Sequence, residues 1–508
     1  MDAPIPLIDL FAGPGGLGEG FAAYVDPATS KHPFRLALSV EKDPIAHRTL
    51  QLRALFRSFA KPAVPDLYYD YVCGRVTREQ LFLDSRYSSE VEKARHEAVC
   101  AELGDSPEAE LDVRIRRALG GATDWVLIGG PPCQAYSLVG RSRVRGVDPD
   151  KYKNDPRHLL YKEYLRVLRT HGPALFVMEN VKGMLSSMHG GRLIFDHIIE
   201  DLSRPADDLH YEIRSFVLPR SGGDHKPTDY VIKSEYFSVP QARHRVILLG
   251  VRSDLASHVH SSLVPAEKVK VREVLKGLPP IRGRLSKEPD SHESWLAALD
   301  DTRRQLVGWR HPDRVEVVER MDRALTKAAQ IRATGGACFA KPTSNQLRAE
   351  LSEWFLDDRL AGVIQHESRA HMRTDLQRYF FASTFAGVIG SSPKLQELPA
   401  RLQPEHANAA NDDVPFADRF RVQVWQNPSS TVVSHIAKDG HYFIHPDPAQ
   451  CRSLTVREAA RLQSFPDNYF FEGNRTEQFT QVGNAVPPFL ARQLAHVVYQ
   501  LFREGTCT

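Results

Sequence analysis

Short, almost wholly apolar runs recur along this chain. They are Pro6-Leu7-Ile8-Asp9-Leu10-Phe11, Phe34 to Val40, Asp124-Trp125-Val126-Leu127-Ile128, Ala174 to Met178 and Arg245 to Gly250. Runs this short, apolar without strict alternation, read as strands buried on both faces. Helix-like segments, Glu19 to Tyr24 and Tyr161 to Leu168, lie between them. The alternation predicts an α/β fold, a parallel doubly wound sheet. Such sheets bind ligands beyond the carboxyl ends of their strands. The loops that follow the apolar runs are therefore where function is to be sought.

The pattern is interrupted twice. Residues 60 to 120 are charged and helix-rich (Glu90 to Leu103, Glu108 to Leu119) and read as an insertion on the rim of the sheet. After about Ser253 the chain turns irregular and rich in charge and proline. Here the sequence predicts helices over Arg314 to Arg332 and Asp375 to Phe385. It predicts strands over Phe420 to Val424, Thr431 to His435 and His441 to Ile444. Helical periodicity returns in Leu454 to Leu462 and in the strongly apolar Phe489 to Phe502. The expected division is a sheet domain over 1–255, an inserted mixed α+β domain over 256–445 and a return to the sheet domain over 446–508.

Composition removes several classes. With 508 residues, 42% of them hydrophobic, the chain can bury a sizeable core. No run of about eighteen apolar residues is present, so no membrane span is expected. Met1-Asp2-Ala3-Pro4 lacks the basic and apolar regions of a secretion signal. The six cysteines form no CxxC pair, which argues against structural zinc and a disulfide framework and fits a reducing cytosol. A net charge of +3 neither demands nor excludes a polyanionic partner.

Two loops carry chemistry. Gly129-Gly130-Pro131-Pro132-Cys133-Gln134-Ala135-Tyr136-Ser137 follows a predicted strand and sets a cysteine on a proline-stiffened turn. That thiol is either a nucleophile or a small buried apolar residue, as most free cysteines are. Asp9-Leu10-Phe11-Ala12-Gly13-Pro14-Gly15-Gly16-Leu17-Gly18 joins the first strand to the first helix, and Glu41 ends the second strand. Glycines allow close backbone approach to a ligand, and an acid at that distance can accept hydrogen bonds from a ribose. By spacing alone the loop fits NAD or S-adenosylmethionine. Phe11, available to stack on adenine, leans toward the latter.

Three further blocks accompany these loops in order: Glu179-Asn180-Val181, Gln241-Ala242-Arg243-His244-Arg245 and Gln481-Val482-Gly483-Asn484-Ala485-Val486-Pro487-Pro488. With Arg452-Ser453-Leu454-Thr455-Val456-Arg457-Glu458-Ala459-Ala460-Arg461-Leu462-Gln463-Ser464-Phe465-Pro466, the chain resembles the bacterial DNA (cytosine-5)-methyltransferase family. The resemblance covers the sheet domain at both ends of the chain, not the helical insertion or most of the middle. It implies a Rossmann-like S-adenosylmethionine-dependent methyltransferase sheet domain with an inserted target-recognition domain.

The resemblance also implies roles. Cytosine C5 is a poor nucleophile, and a thiolate adding at C6 turns the ring into an enamine whose C5 can attack a methyl sulfonium. Cys133 would be that thiolate, with Glu179 protonating N3, Arg245 hydrogen-bonding O2 and Arg243 supporting the site. Pro131, Pro132 and Gln134 would line the base pocket, and Asn180 would fix the loop carrying Glu179. No side chain stands out as the base that removes the C5 proton, and water takes that role by default. Phe11, Gly13, Gly15, Gly16, Leu17, Glu41, Leu160, Asn484 and Val486 would hold S-adenosylmethionine. The adenine-binding acid that ends the family's third strand has only Tyr69-Asp70-Tyr71-Val72-Cys73-Gly74 as a nearby candidate, and that match departs from the pattern. No metal is expected.

The implied substrate is a cytosine flipped out of duplex DNA. The loop from Ser137 onward, with Arg141, Arg143 and Arg145, would close over the DNA, and side chains of the inserted domain would read bases in the major groove. The resemblance points to a cytoplasmic, nucleoid-associated enzyme, monomeric on DNA, in restriction-modification or a related bacterial defence system, with any nuclease or defence partner a separate protein. The competing readings are a tRNA cytosine-5 methyltransferase of the same fold, a non-catalytic DNA-binding scaffold, and an NAD oxidoreductase resting on the glycine loop alone.

Overall fold

The computed structural model describes the chain apart from residues 1–2, 105–107, 132–156, 190–191, 220–225, 256–260, 342–346, 405–418 and 506–508. Its centre is one mixed sheet. The strands are β1 (Ile5–Leu10), β2 (Phe34–Glu41), β3 (Ala98–Cys100), β4 (Val126–Gly129), β5 (Leu175–Val181), β6 (Tyr211–Ser215), β7 (Val231–Lys233) and β8 (His244–Arg252). They run in the order β3-β2-β1-β4-β5-β8-β6, with β7 also paired to β8. β1 to β5 are mutually parallel, and β8 is antiparallel to β5, β6 and β7.

The helices that matter here are α1 (Gly16–Ala22), α2 (Pro44–Arg57), α3 (Ser88–Glu97), α4 (Glu108–Leu119), α5 (Arg157–His171), α6 (His292–Gln305), α7 (Arg314–Ala328), α8 (Arg373–Ile389), α9 (Val456–Leu462) and α10 (Pro488–Gly505). β1 and β4 are buried along their whole length because helices cover both faces of the sheet. On one face Leu7, Val126, Val177 and Ile247 pack with Phe21 of α1 and with Leu490, Leu494 and Val498 of α10. On the other, Ile8, Leu127, Phe176 and Leu248 pack with Tyr164 and Leu168 of α5. The C-terminal helix thus belongs to the layer that holds α1. A Cβ at Gly20 would lie 2.3 Å from the carbonyl oxygen of Pro488, so only glycine permits that approach.

The middle of the chain builds two further cores. One gathers Trp295 of α6, Met321 of α7 and Tyr379 to Ala382 of α8 with Phe420 and Ile444. The other joins Val269 to Leu278 and Trp354 to residues of α9, such as Ala459 and Leu462, and to Tyr469 and Phe489.

Several expectations need correction. Glu90 to Leu103 is not one helix: α3 ends at Glu97 and Ala98-Val99-Cys100 becomes the edge strand beside Ser39–Glu41. The rim stretch therefore supplies part of the sheet. Asp66–Val72 is helical, so Tyr69 to Gly74 does not end a strand. Strands over Phe420 to Val424, Thr431 to His435 and His441 to Ile444 reduce to an isolated Val422–Ile444 bridge, a Ser429–Ser430 pair on Gln241–Ala242 and a 3-10 turn at Ser434–Ala437. There the main chain of Arg421 and Gln423 bonds that of His441 and Ile444, and the Gln423 side chain adds bonds to the Tyr442 carbonyl and the Ser430 N–H. An antiparallel pair that periodicity did not mark, Gly335–Phe339 with Val363–Glu367, lies in the same region.

Candidate active site

Register places the loop residues in one row. Leu10 is opposite Val40 and Gly129, and Gly129 is opposite Met178. The next residues, Phe11, Glu41, Gly130 and Glu179, therefore line up across the carboxyl edge of four adjacent parallel strands. The order reverses between β1 and β4, which makes this the crevice where doubly wound sheets bind ligands.

On the β1 side the backbone is bent to fit. Phe11 is a non-glycine residue at φ +58°, and Gly13 and Gly15 sit at +57° and +91°. Gly13 has open space where a Cβ would stand. Glu41 braces the loop, its two carboxylate oxygens accepting from the N–H of Gly13 and of Asp43, each at 2.8 Å. Phe11 and Leu160 are half-buried at the margin of the same apolar cluster. Leu17 is buried in the opposite layer and supports the loop from below. The C-terminal block closes over this loop: a Cβ on Gly16 would lie 2.2 Å from the Val486 carbonyl oxygen. Val486 is half-buried there, and Asn484 is exposed.

On the β5 side, Arg245 and Glu179 form an ion pair, Nε lying 2.9 Å from Oε1. Glu179 faces Ile247 in the ladder, and Arg245 stands two residues away on the same face. Both side chains stay partly accessible, 15% and 17%. Gly130 approaches this pair so closely that a Cβ would stand 3.0 Å from Glu179 Oε2. Pro131 is buried beside it. Pro132, Cys133, Gln134, Ser137, Arg141, Arg143 and Arg145 lie outside the described residues. Asn180 is buried, and its Oδ1 accepts from the Val181 N–H at 2.8 Å.

Arg243 points elsewhere. It is buried and donates to the carbonyls of Val432 and Gly483 at 3.0 and 3.2 Å, tying its own block to the Gln481–Pro488 block and to the segment at Val432. Burial and the neighbouring Arg245 both disfavour its charge. Gln241 extends the clamp: its Oε1 accepts from the Val432 N–H at 2.6 Å, and its amide donates to Gln463, which donates to the Ala485 carbonyl.

Sequence reasoning missed two acids. Asp9 is buried at the end of β1, its Oδ2 without a hydrogen-bond partner among the described residues, and burial with the charge of Glu41 raises its pKa to about 8. Its place in an apolar strand was the available signal. Glu102, two residues past β3, pairs with Lys42 at 2.8 Å. Nothing local marks it as a strand-end acid, because β3 is three residues long and Glu90 to Leu103 has the pattern of a helix. Among the described residues no cluster of His, Cys, Asp and Glu could hold a metal, and no helix is long and apolar enough to cross a membrane.

A family model, C-5 cytosine-specific DNA methylase, matches residues 78–500. The glycine loop precedes that match. The chain is 33% identical to the type II methyltransferase M.Bpa9945I of Bacillus paralicheniformis, over 97% of this chain and 98% of that one. It is 29% identical to M.AgeI of Thalassovita gelatinovora over 79% and 89%, and 26% identical to the DNA (cytosine-5-)-methyltransferase M.ApeKI of Aeropyrum pernix over 75% and 82%. Among solved structures, an Escherichia coli prophage protein described as a DNA modification methyltransferase superposes with a TM-score of 0.52 at 18% identity, covering 98% of this chain and 99% of that one. That likeness concerns the fold.

Proposed function

The chain belongs to the C-5 cytosine-specific DNA methylase family, and from that membership we propose how its own residues divide the work. It is a DNA (cytosine-5)-methyltransferase, in a family that uses S-adenosylmethionine. We assign the cofactor to the crevice bounded by Phe11, Gly13, Gly15, Gly16, Glu41, Leu160, Asn484 and Val486. Support comes from the open space at Gly13, the inward-braced Glu41 carboxylate and the C-terminal block over Gly16. Bound there, the cofactor supplies the electrophilic methyl group.

The row of Phe11, Glu41, Gly130 and Glu179, with Arg245 paired to Glu179, is the observation that carries the division of roles. Cys133 is three residues beyond Gly130. Its thiolate adds to cytosine C6 as Glu179 gives a proton to N3, leaving an enamine whose C5 is nucleophilic. Arg245 holds O2 and the Glu179 carboxyl in one geometry, and its fixed charge favours the thiolate. After methylation, loss of the C5 proton to water expels the thiolate. Arg243 is a positioning residue that fixes the β8 motif to the Val432 and Gly483 segments. Pro131, Pro132, Gln134 and Asn180 shape the base pocket, and the Ser137-to-Arg145 segment closes over a flipped base.

The sheet domain over 1–255 and 446–508 performs the chemistry, and residues 256–445 read the target in duplex DNA. The setting is restriction-modification in the cytoplasm, with the nuclease on a separate chain. Bisulfite sequencing of DNA from a host expressing the chain tests the reading. One short recurring motif protected at a single cytosine is expected. Uniformly unprotected cytosines would overturn it.

A further inference from the structure

Pro14 stands in the glycine loop between Gly13 and Gly15, both at positive φ. Its ring fixes its own φ and leaves it no N–H, so the direction of its carbonyl sets the tilt of the Pro14–Gly15 peptide. The loop's other polar groups are taken up close by. The Ala12 N–H donates to the Val40 carbonyl at 3.1 Å, the Gly13 N–H to Glu41 at 2.8 Å and the Gly15 N–H to the Ala12 carbonyl at 2.9 Å. The Pro14 carbonyl is held from the far end of the chain, where the Tyr469 hydroxyl donates to it. One peptide plane is thus pinned at both ends, its N–H within the loop and its oxygen by a side chain 455 residues away.

Tyr469 is firmly seated. It is fully buried, with the rings of Phe465 and Phe471 centred 4.7 and 5.4 Å from its own. The Arg53 guanidinium lies 4.9 Å from the ring centre, and Arg457 donates to the Tyr469 carbonyl at 2.6 Å. Burial and the Glu19 carboxylate push the hydroxyl's pKa up, so it stays protonated and available as a donor. The approach to the loop is close: a Cβ on Gly15 would stand 3.0 Å from this hydroxyl and 2.7 Å from Leu50 Cδ2.

We propose that Tyr469 is a positioning residue for S-adenosylmethionine, holding the Pro14–Gly15 peptide so that the glycine loop keeps the shape that receives the cofactor. The inference rests on the placement of the cofactor in this crevice. Tyr469 acts through the loop and touches no reacting atom. Without its hydroxyl the buried Pro14 carbonyl loses its partner and the peptide plane is free to turn. The receptive shape is then only part of the population, and the apparent affinity falls in proportion.

The test measures S-adenosylhomocysteine binding to the full-length protein by calorimetry. Tyr469→Phe keeps the ring and removes only the hydroxyl. Its Kd should rise about three- to tenfold, the range that one such hydrogen bond accounts for. A misfolded fraction would lower the stoichiometry and leave Kd alone. In rate assays the KM for S-adenosylmethionine should rise by the same factor, and the KM for duplex DNA should not move. Phe471→Leu loosens the same aromatic cluster; it should lower the melting temperature and leave Kd unchanged. An unchanged Kd in Tyr469→Phe would overturn the inference. So would an equal rise in Phe471→Leu, an equal rise in the KM for DNA, or loss of the fold in Tyr469→Phe. No binding by the wild-type chain would instead overturn the placement of the cofactor, and the inference with it.

Discussion

Glu179 and Arg245 meet across two strands, with Arg245 Nε 2.9 Å from Glu179 Oε1. Glu179→Gln keeps the shape but removes the proton donor we propose for N3. Methyl transfer is expected to fall about 100- to 10,000-fold, with S-adenosylhomocysteine binding by calorimetry unchanged. Both residues were legible in their motifs. Their contact was not, because it depends on the register of β5 against β8, set by chain 66 residues apart. Asp9 gives a pH signature. Between its ordinary value of 3.8 and about 8 the folded chain keeps a proton that the unfolded chain releases, so its contribution to stability falls as pH rises through that window. Asp9→Asn removes this slope. Thermal melts should show the variant gaining on the wild type from pH 5 to pH 8, and a constant offset would contradict the assignment.

At the level of elements, the glycine loop shows two demands that look alike in sequence. Gly13 needs its left-handed φ but has free space, whereas Gly16 has no room beneath the Val486 carbonyl. Gly13→Ala should cost about 1–2 kcal/mol through backbone strain. Gly16→Ala must also push the C-terminal block, costing about 1–3 kcal/mol by overpacking and weakening S-adenosylhomocysteine binding more than Gly13→Ala does. Denaturant melts with calorimetry separate the two, and equal losses of affinity would count against the closing role of Val486. β3 escaped sequence reasoning for a related reason. Ala98-Val99-Cys100 is too short for period to be read, and only Ser39–Glu41 beside it makes it a strand.

For the whole molecule, the site exists only when distant parts of the chain meet: the loop at Phe11 to Gly16, Gly130, Glu179 with Arg245, and Asn484 to Val486. The sheet was legible because strands buried on both faces leave continuous apolar runs. The middle was not, because its cores join Val269 to Leu278 with Trp354 and Ala459, contacts that no local pattern encodes. In the function proposed above, this assembly aims the Cys133 thiolate at C6 of a cytosine in DNA. Fluorine at C5 cannot leave as a proton, so duplex DNA made with 5-fluorodeoxycytidine should arrest the reaction after methyl transfer. Incubated with the full chain and S-adenosylmethionine, it should give a denaturant-resistant adduct whose peptide map ends at Cys133, and Cys133→Ser should give none. An adduct at another residue, or methylation of ordinary DNA by Cys133→Ser, would contradict the account.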